Sequence, residues 1–396
     1  MSPLAADPAA AEGGMLEYSV LLGIFLVALL AFANGSNDVS KGIATLVGSG
    51  VTDYRKAILW GTFWTVVGGL IGAAFSLAIV RTFTNDILSS EVNYSVSLPL
   101  AIITGAIGWI LLASRLGLPV STTHSIAGAI CGAALMSVGV QGVQWGSLID
   151  KVVLPLLLSP LLALLLTFLI FPLIRVGLSG WKGHCLCVLP AQPAQVVQQR
   201  GKVLRVLPAE PGIMAFTGSV EQCGDQRALA ITVNLDSFHW LSSGLVSLAR
   251  GLNDAPKMVA LLMTVALFNG THPPQADSHL LGQGFVAVAI GMGLGGWFAG
   301  RRVTKVLAER VTRMDHLQGF SANLTTAILV IMAAKFGLPV STTHVSSCAI
   351  IGVGLRQGKE HINWSVVGEM VLAWMVTVPV SGLFAAGIYL LLITLR

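Results

Sequence analysis

The sequence predicts an all-α polytopic membrane protein. Its plan is two inverted-topology repeats, each of about five or six transmembrane or re-entrant helices, with broken helices at the midplane. Three observations predict this. Hydrophobic residues make up 54% of the 396-residue chain and charged ones only 10%, a balance outside that of soluble globular domains. Uncharged runs long enough to cross ~30 Å of hydrocarbon recur, at 57–80, 98–114, 152–174 and 282–300. The octapeptide Gly-Leu-Pro-Val-Ser-Thr-Thr-His occurs at Gly117 to His124 and again, unchanged, at Gly337 to His344.

Taken in order, the chain opens with residues 1–17, which carry Asp7, Glu12 and Glu17 but no Lys or Arg. Without a positively charged n-region this reads as a mobile tail rather than a cleaved signal peptide. Tyr18 to Gly50 is too long for one span and is interrupted by Asn34-Gly-Ser-Asn-Asp38 and Lys41, which predicts a broken helix facing protein or a polar cavity. Its counterpart is Arg250-Gly-Leu-Asn-Asp254-Ala-Pro-Lys257, so that Asn37, Asp38 and Lys41 match Asn253, Asp254 and Lys257, 216 positions on. Downstream, Trp145, Asp150 and Pro160 match Trp364, Glu369 and Pro379 at an offset of 219. The repeats are therefore 18–175 and 239–396, separated by a polar insert at 176–238 that cannot span.

Within the insert, 202–207 and 228–233 have the pattern of short strands. His184-Cys185-Leu-Cys187 has no second Cys pair at ligand spacing, so no metal site is assigned beyond a transported cation. The five cysteines form no paired framework.

Five spans per repeat, an odd number, reverse the orientation of the second. Loop charge agrees. Residues 51–56 carry net +1 and their counterpart 269–281 net −1, whereas 81–93 carry −1 and 301–315 carry +3. Under the positive-inside rule both termini lie outside and the insert is cytoplasmic, in a bacterial inner membrane. The same bias accounts for the net charge of +5, and no basic patch with interleaved aromatics points to nucleic acid.

The chemistry concentrates at two places. In each octapeptide a proline two residues ahead of Ser-Thr-Thr marks a helix start, and a helix start inside a membrane is an anion site. Ser121, Thr122 and Thr123, with Ser341, Thr342 and Thr343, are the candidate ligands; a role confined to capping their own helices is the alternative. Asp38, Lys41, Arg250, Asp254 and Lys257 also lie at membrane depth, at a cost on the order of 10 kcal/mol before pairing. Asp38 with Lys41, and Asp254 with Lys257, could be local salt bridges three residues apart. On the functional reading, Asp38 and Asp254 with Asn37 and Asn253 serve a cation, while Lys41 and Lys257 face the anion. A small tetrahedral oxyanion, phosphate or sulfate, fits six hydroxyls and two helix starts. Carrying it inward against a negative interior costs ~2.3 kcal/mol per charge per 100 mV, which calls for a co-transported cation.

These residues resemble the inorganic phosphate transporter (PiT) family of secondary symporters. The likeness rests on Asn34-Gly-Ser-Asn-Asp-Val-Ser-Lys-Gly with Gly48-Ser-Gly, on Arg250-Gly-Leu-Asn-Asp-Ala-Pro-Lys and on the duplicated octapeptide, and it covers both transmembrane halves. It implies phosphate held near the midplane and moved by alternating access, usually with Na⁺ and in some members with H⁺. The better-known motif often has Asn where Lys41 and Lys257 stand here, so two fixed ammonium groups are an alternative to bound Na⁺. Sulfate-carrying relatives keep sulfate open as substrate. No other cofactor is implied; lipid is the surrounding medium and a homodimer is compatible. Two other classes compete. One is an intramembrane hydrolase with Ser121 or Ser341 as nucleophile and His124 or His344 as base; the other is a passive anion channel.

Overall fold

In hydrocarbon a backbone has no partner but itself, so apolar stretches of this length close into helices. The computed structural model describes residues 8–90, 92, 94–181, 183–190, 195–199, 202–207, 213–219, 231–268 and 278–395. Among them, eight helices are long and apolar enough to span a membrane: 18–48, 54–75, 97–116, 145–181, 235–268, 278–299, 316–335 and 364–394.

The octapeptides do not begin full spans, which corrects the expected five per half. Their helices, Thr122–Val138 and Thr342–Gln357, have 17 and 16 residues, about 25 Å at 1.5 Å per residue. Each instead pairs with the helix before it as a hairpin whose two ends return to one edge. Around the first hairpin, Ser97–Leu116 and Thr122–Val138, Leu88 bridges Val143 and Gln144 N–H donates to the Ile87 carbonyl at 2.8 Å. The Tyr94 hydroxyl closes this base on the Gly142 carbonyl at 2.6 Å, and burial raises its pKa, so it remains a donor. The second hairpin, His316–Lys335 and Thr342–Gln357, is tied by a Thr312–Ile362 bridge and by Asn363 N–H to the Val311 carbonyl at 2.9 Å. Its base lies beside the central insert, where His316 Nδ1 meets Asp236 Oδ1 at 2.5 Å.

The chain breaks at the hairpin tips, not at the acidic motifs. Gly117 and Gly337 end the incoming helices with φ of 78° and 69°, a left-handed turn natural to glycine. Leu-Pro-Val follows, and the proline cannot continue the incoming helix. Ser121 and Ser341 then cap the outgoing helices, each hydroxyl accepting the N–H of the His three residues on at 3.2 Å. The break predicted at Asp254 is overturned, and the one predicted at Asp38 is reduced to the single residue Val39. Leu235–Phe268 is one continuous helix around Asp254, and Pro8–Asp38 joins Ser40–Gly48 through Val39, which keeps helical dihedrals (φ −55°, ψ −30°). The physical reason is that each carboxylate finds a lysine one turn along the same helix, so the helix need not open to satisfy it.

Small residues set how closely these helices approach their neighbours. A Cβ added at Gly35 would lie 2.1 Å from the Met292 carbonyl oxygen, and one at the equivalent Gly251 2.4 Å from that of Thr65. Each glycine thus brings a neighbouring backbone against the turn that carries the site.

The helix that leads to Asp38 starts at Pro8, so residues 8–17 of the expected tail are helical. The insert is β-structured. His184–Pro190 lies between Ile213–Ser219 and Ile231–Val233 in one antiparallel sheet, while Gln195–Gln199 pairs with Lys202–Leu207. The strand expected at 202–207 is present, and the one expected at 228–233 is seen over Ile231–Val233, residues 228–230 lying outside the described residues. Cys185 and Cys187 are buried on one face of their strand with Sγ atoms 3.7 Å apart. Among the described residues no three His, Cys, Asp or Glu side chains group as metal ligands.

Candidate functional site

The hairpin tips meet each other and the two acidic helices at one buried point. Thr123 Oγ1 of the first tip donates to the Val340 carbonyl of the second at 3.2 Å, and Thr343 Oγ1 of the second donates to the Val120 carbonyl of the first at 2.7 Å. The tips are thus stapled reciprocally by the third hydroxyl of each octapeptide. Asparagines dock them onto the long helices. Asn37 Oδ1 accepts Val120 N–H at 3.2 Å and its Nδ2 donates to the Leu118 carbonyl at 2.9 Å. Asn253 repeats the arrangement on the second tip, its Oδ1 accepting Val340 N–H at 3.4 Å and its Nδ2 donating to the Val340 carbonyl at 2.9 Å. Extended backbone at membrane depth has unpaired N–H and C=O groups, and these amides supply their partners.

Both local salt bridges form. Lys41 Nζ lies 2.6 Å from Asp38 Oδ1 and Lys257 Nζ 3.0 Å from Asp254 Oδ1, all four side chains 0–2% exposed. Each ammonium sits in a cage of three oxygens. Lys41 adds the carbonyl and Oδ1 of Asn37, both at 2.8 Å; Lys257 adds Thr123 Oγ1 at 2.6 Å and the Val340 carbonyl at 3.0 Å.

Asn34 and Arg250 join the two halves. Asn34 Nδ2 reaches Asp38 Oδ2 at 2.8 Å, Thr122 Oγ1 at 2.9 Å and Asp254 Oδ2 at 3.4 Å. Thr122 Oγ1 itself donates to Asp38 Oδ2 at 3.1 Å. Arg250, completely buried, directs NH1 to Asn34 Oδ1 at 3.4 Å and NH2 to Thr65 Oγ1 at 2.5 Å. Three cations and two carboxylates are therefore enclosed together, with formal net charge +1 (3 − 2).

A surplus buried cation is costly unless an anion joins it, and here it stands beside two helix starts. The model of the phosphate transporter family matches residues 34–385. The chain belongs to the phosphate transporter family. A Pyrococcus abyssi protein that bears the name phosphate permease is 30% identical over 404 residues, covering 94% of this chain and 98% of its own. A Mycobacterium tuberculosis protein, by name a low-affinity inorganic phosphate transporter, is 30% identical over 372 residues, covering 93% of this chain and 77% of its own. A solved structure titled a sodium-dependent phosphate transporter superposes with a TM-score of 0.76 at 25% identity, over 96% of this chain and all of that one.

In this member of the phosphate transporter family all twelve side chains singled out in the sequence are buried in the central region of the two tips and two acidic helices. They divide by task. Ser121 and Ser341 cap helices, Thr123 and Thr343 staple the tips, and Thr122 faces Asp38. Ser121 Oγ also touches His124 Nδ1 at 2.9 Å, the contact a Ser–His nucleophile would need. Family membership makes the chain a transporter and not an enzyme, and the His124 ring is packed on His344, with centroids 4.5 Å apart, while His344 lies on Trp374.

Asn34 and Arg250 were not assigned roles from sequence. They are equivalent positions, 216 residues apart. The signal was present: where Gly35, Asn37, Asp38 and Lys41 recur as Gly251, Asn253, Asp254 and Lys257, a guanidinium stands one turn before Asp254 in place of the neutral amide before Asp38.

Proposed function

We propose that the protein imports inorganic phosphate by cation symport, moving it by alternating access past this site. The enclosed surplus of one positive charge carries the reading. A phosphate dianion with one Na⁺ brings the site to zero, since +1 − 2 + 1 = 0, and the tips supply the hydroxyls and helix starts such an anion needs. Asp38 and Asp254 with Asn37 and Asn253 serve the cation. Lys41, Lys257, Arg250 and the hydroxyls of Thr122, Thr123, Thr342 and Thr343 turn to phosphate, with Ser121 and Ser341 holding the helix starts in place. Na⁺ is the first choice because the superposed transporter is titled sodium-dependent.

The two halves act as inverted-topology repeats. Three spans and one hairpin per half are an odd number of crossings, and the second hairpin is based beside the insert whereas the first is tied at 87–89 and 142–144. The positively charged loops support a cytoplasmic insert with both termini outside.

Proton coupling is the second reading, favoured by the two ammonium groups already seated in oxygen cages of the kind a monovalent cation takes. The deciding experiment reconstitutes the protein in proteoliposomes and follows labelled phosphate under a Na⁺ gradient, then under a proton gradient alone, each with excess sulfate. Uptake that follows Na⁺ and ignores sulfate is expected. Uptake driven by protons alone moves coupling to the carboxylates, and full competition by sulfate changes the substrate.

A further inference from the structure

A cavity of about 690 Å³ lies beside the site, and its lining includes Arg115, Arg301, Arg302 and Lys305 with no acidic residue among the lining side chains. All four cations are exposed; Arg302 NH1 donates to the Arg115 carbonyl and Arg301 lies over the Tyr54 ring, 5.3 Å from its centroid. Ser36 and Ser114 also line it; they are buried, and their hydroxyls are 3.1 Å apart. Ser114 Oγ accepts Asn37 Nδ2 at 3.1 Å, and Asn37 Oδ1 accepts Lys41. The cavity is thus separated from the central site by one serine and one amide.

The approach to the other tip is built differently. Gly117 of the first tip faces Arg302 and Val306, whereas Gly337 of the second faces Ala78. The short helix there, Leu77–Arg81, offers four apolar residues before its single Arg, against three cations in Arg301–Glu309. A general excess of cations on one membrane side explains their presence but not their convergence on a cavity floored by hydroxyls.

We propose that this cavity is a second, weaker site for free inorganic phosphate, on the path between the central site and the face that carries Arg301 to Lys305. The inference rests on the transport reading above. Its width leaves phosphate hydrated, so four exposed cations raise the local anion concentration without stripping its water. Binding there is loose and screened by salt, which suits a release antechamber and not a second tight site. Opening the Ser36–Ser114–Asn37 contact connects the two.

The test uses oriented proteoliposomes of neutral phosphatidylcholine, with half-saturating phosphate for exchange measured separately from each face. Lys305→Gln alone, Lys305→Gln with Arg302→Gln, and the charge-keeping Lys305→Arg are compared with the parent protein. The expected result is that the double variant raises the ratio of half-saturation at the Arg302 face to that at the opposite face by about tenfold. The single variant moves it part-way, Lys305→Arg restores it, and the effect shrinks as salt is raised. An unchanged ratio overturns the proposal. An effect that appears only when anionic lipid is added assigns the cations to a lipid headgroup and overturns it too. A parent protein that exchanges no phosphate from either face overturns the transport reading, and this inference with it.

Discussion

The two halves present the same motifs to each other and do different things with them. In the first, Lys41 is held within its own helix by Asn37 and Asp38. In the second, Lys257 reaches across to Thr123 of the opposite tip. Asn34 bridges the two carboxylates by hydrogen bonds, while its counterpart Arg250 contributes a full charge. Duplication supplies two half-sites of similar shape; divergence at one position makes their union positively charged. A strictly symmetric pair would contain as many carboxylates as ammonium groups and would have no electrostatic need for an anion.

The comparison is broken most severely by removing a carboxylate from either half. Asp38→Asn or Asp254→Asn leaves a buried lysine without its counter-charge, at about 3–5 kcal/mol. Loss of concentrative phosphate uptake is expected for both, and accumulation at parental levels in either variant removes that half from coupling. Arg250→Asn makes the second half resemble the first and lowers the enclosed charge from +1 to zero. Losing charge-assisted hydrogen bonds of about 1.5–3 kcal/mol each should weaken phosphate affinity by roughly ten- to a hundredfold, measured as uptake KM. Asn34→Asp, which also lowers the charge by one but from the other half, should weaken affinity in the same direction if net charge is what matters.

Smaller changes sharpen the contrast between the staples. Thr123→Val removes a hydroxyl that meets both Val340 and Lys257, whereas Thr343→Val removes one that meets Val120. At about 1 kcal/mol per hydrogen bond, Thr123→Val should lower the melting temperature in detergent more than Thr343→Val; equal shifts would mean that the Lys257 contact adds nothing. The smallest effect is expected at Trp374, whose Nε1 donates to the Pro119 carbonyl at 2.9 Å while its ring lies on His344. Trp374→Phe keeps the ring contact, so about 0.5–1.5 kcal/mol of tip stability should be lost, seen as a small drop in melting temperature with transport retained.

The motifs, taken in order, point to the candidate site but not to its internal wiring. The octapeptides announced helix starts because Pro-Val-Ser-Thr-Thr is a local signal, complete within a few residues. The acidic motifs read as breaks because polar residues in an apolar run raise the same expectation whether they interrupt a helix or neutralise one another on it. Only the lysine one turn away distinguishes the cases, and the Asp38–Lys41 spacing allowed both. The hairpins read as spans for a similar reason: length and hydropathy do not register that Leu88 and Val143 come back together.

By itself the sequence determined what depends on composition, repetition and neighbours along the chain. Those are the membrane class, the two halves with a polar insert between them, the twelve candidate side chains and the likeness to a transporter family. The tertiary structure decided what depends on residues brought together from far apart. It closed the tips on each other through Thr123 and Thr343, drew Asn34 and Arg250 between two carboxylates 216 positions apart, and gathered four cations around one cavity. The physical reason is that capping and helix formation are settled within a turn or two of chain, whereas a buried charge is settled by whichever partners the fold delivers to it.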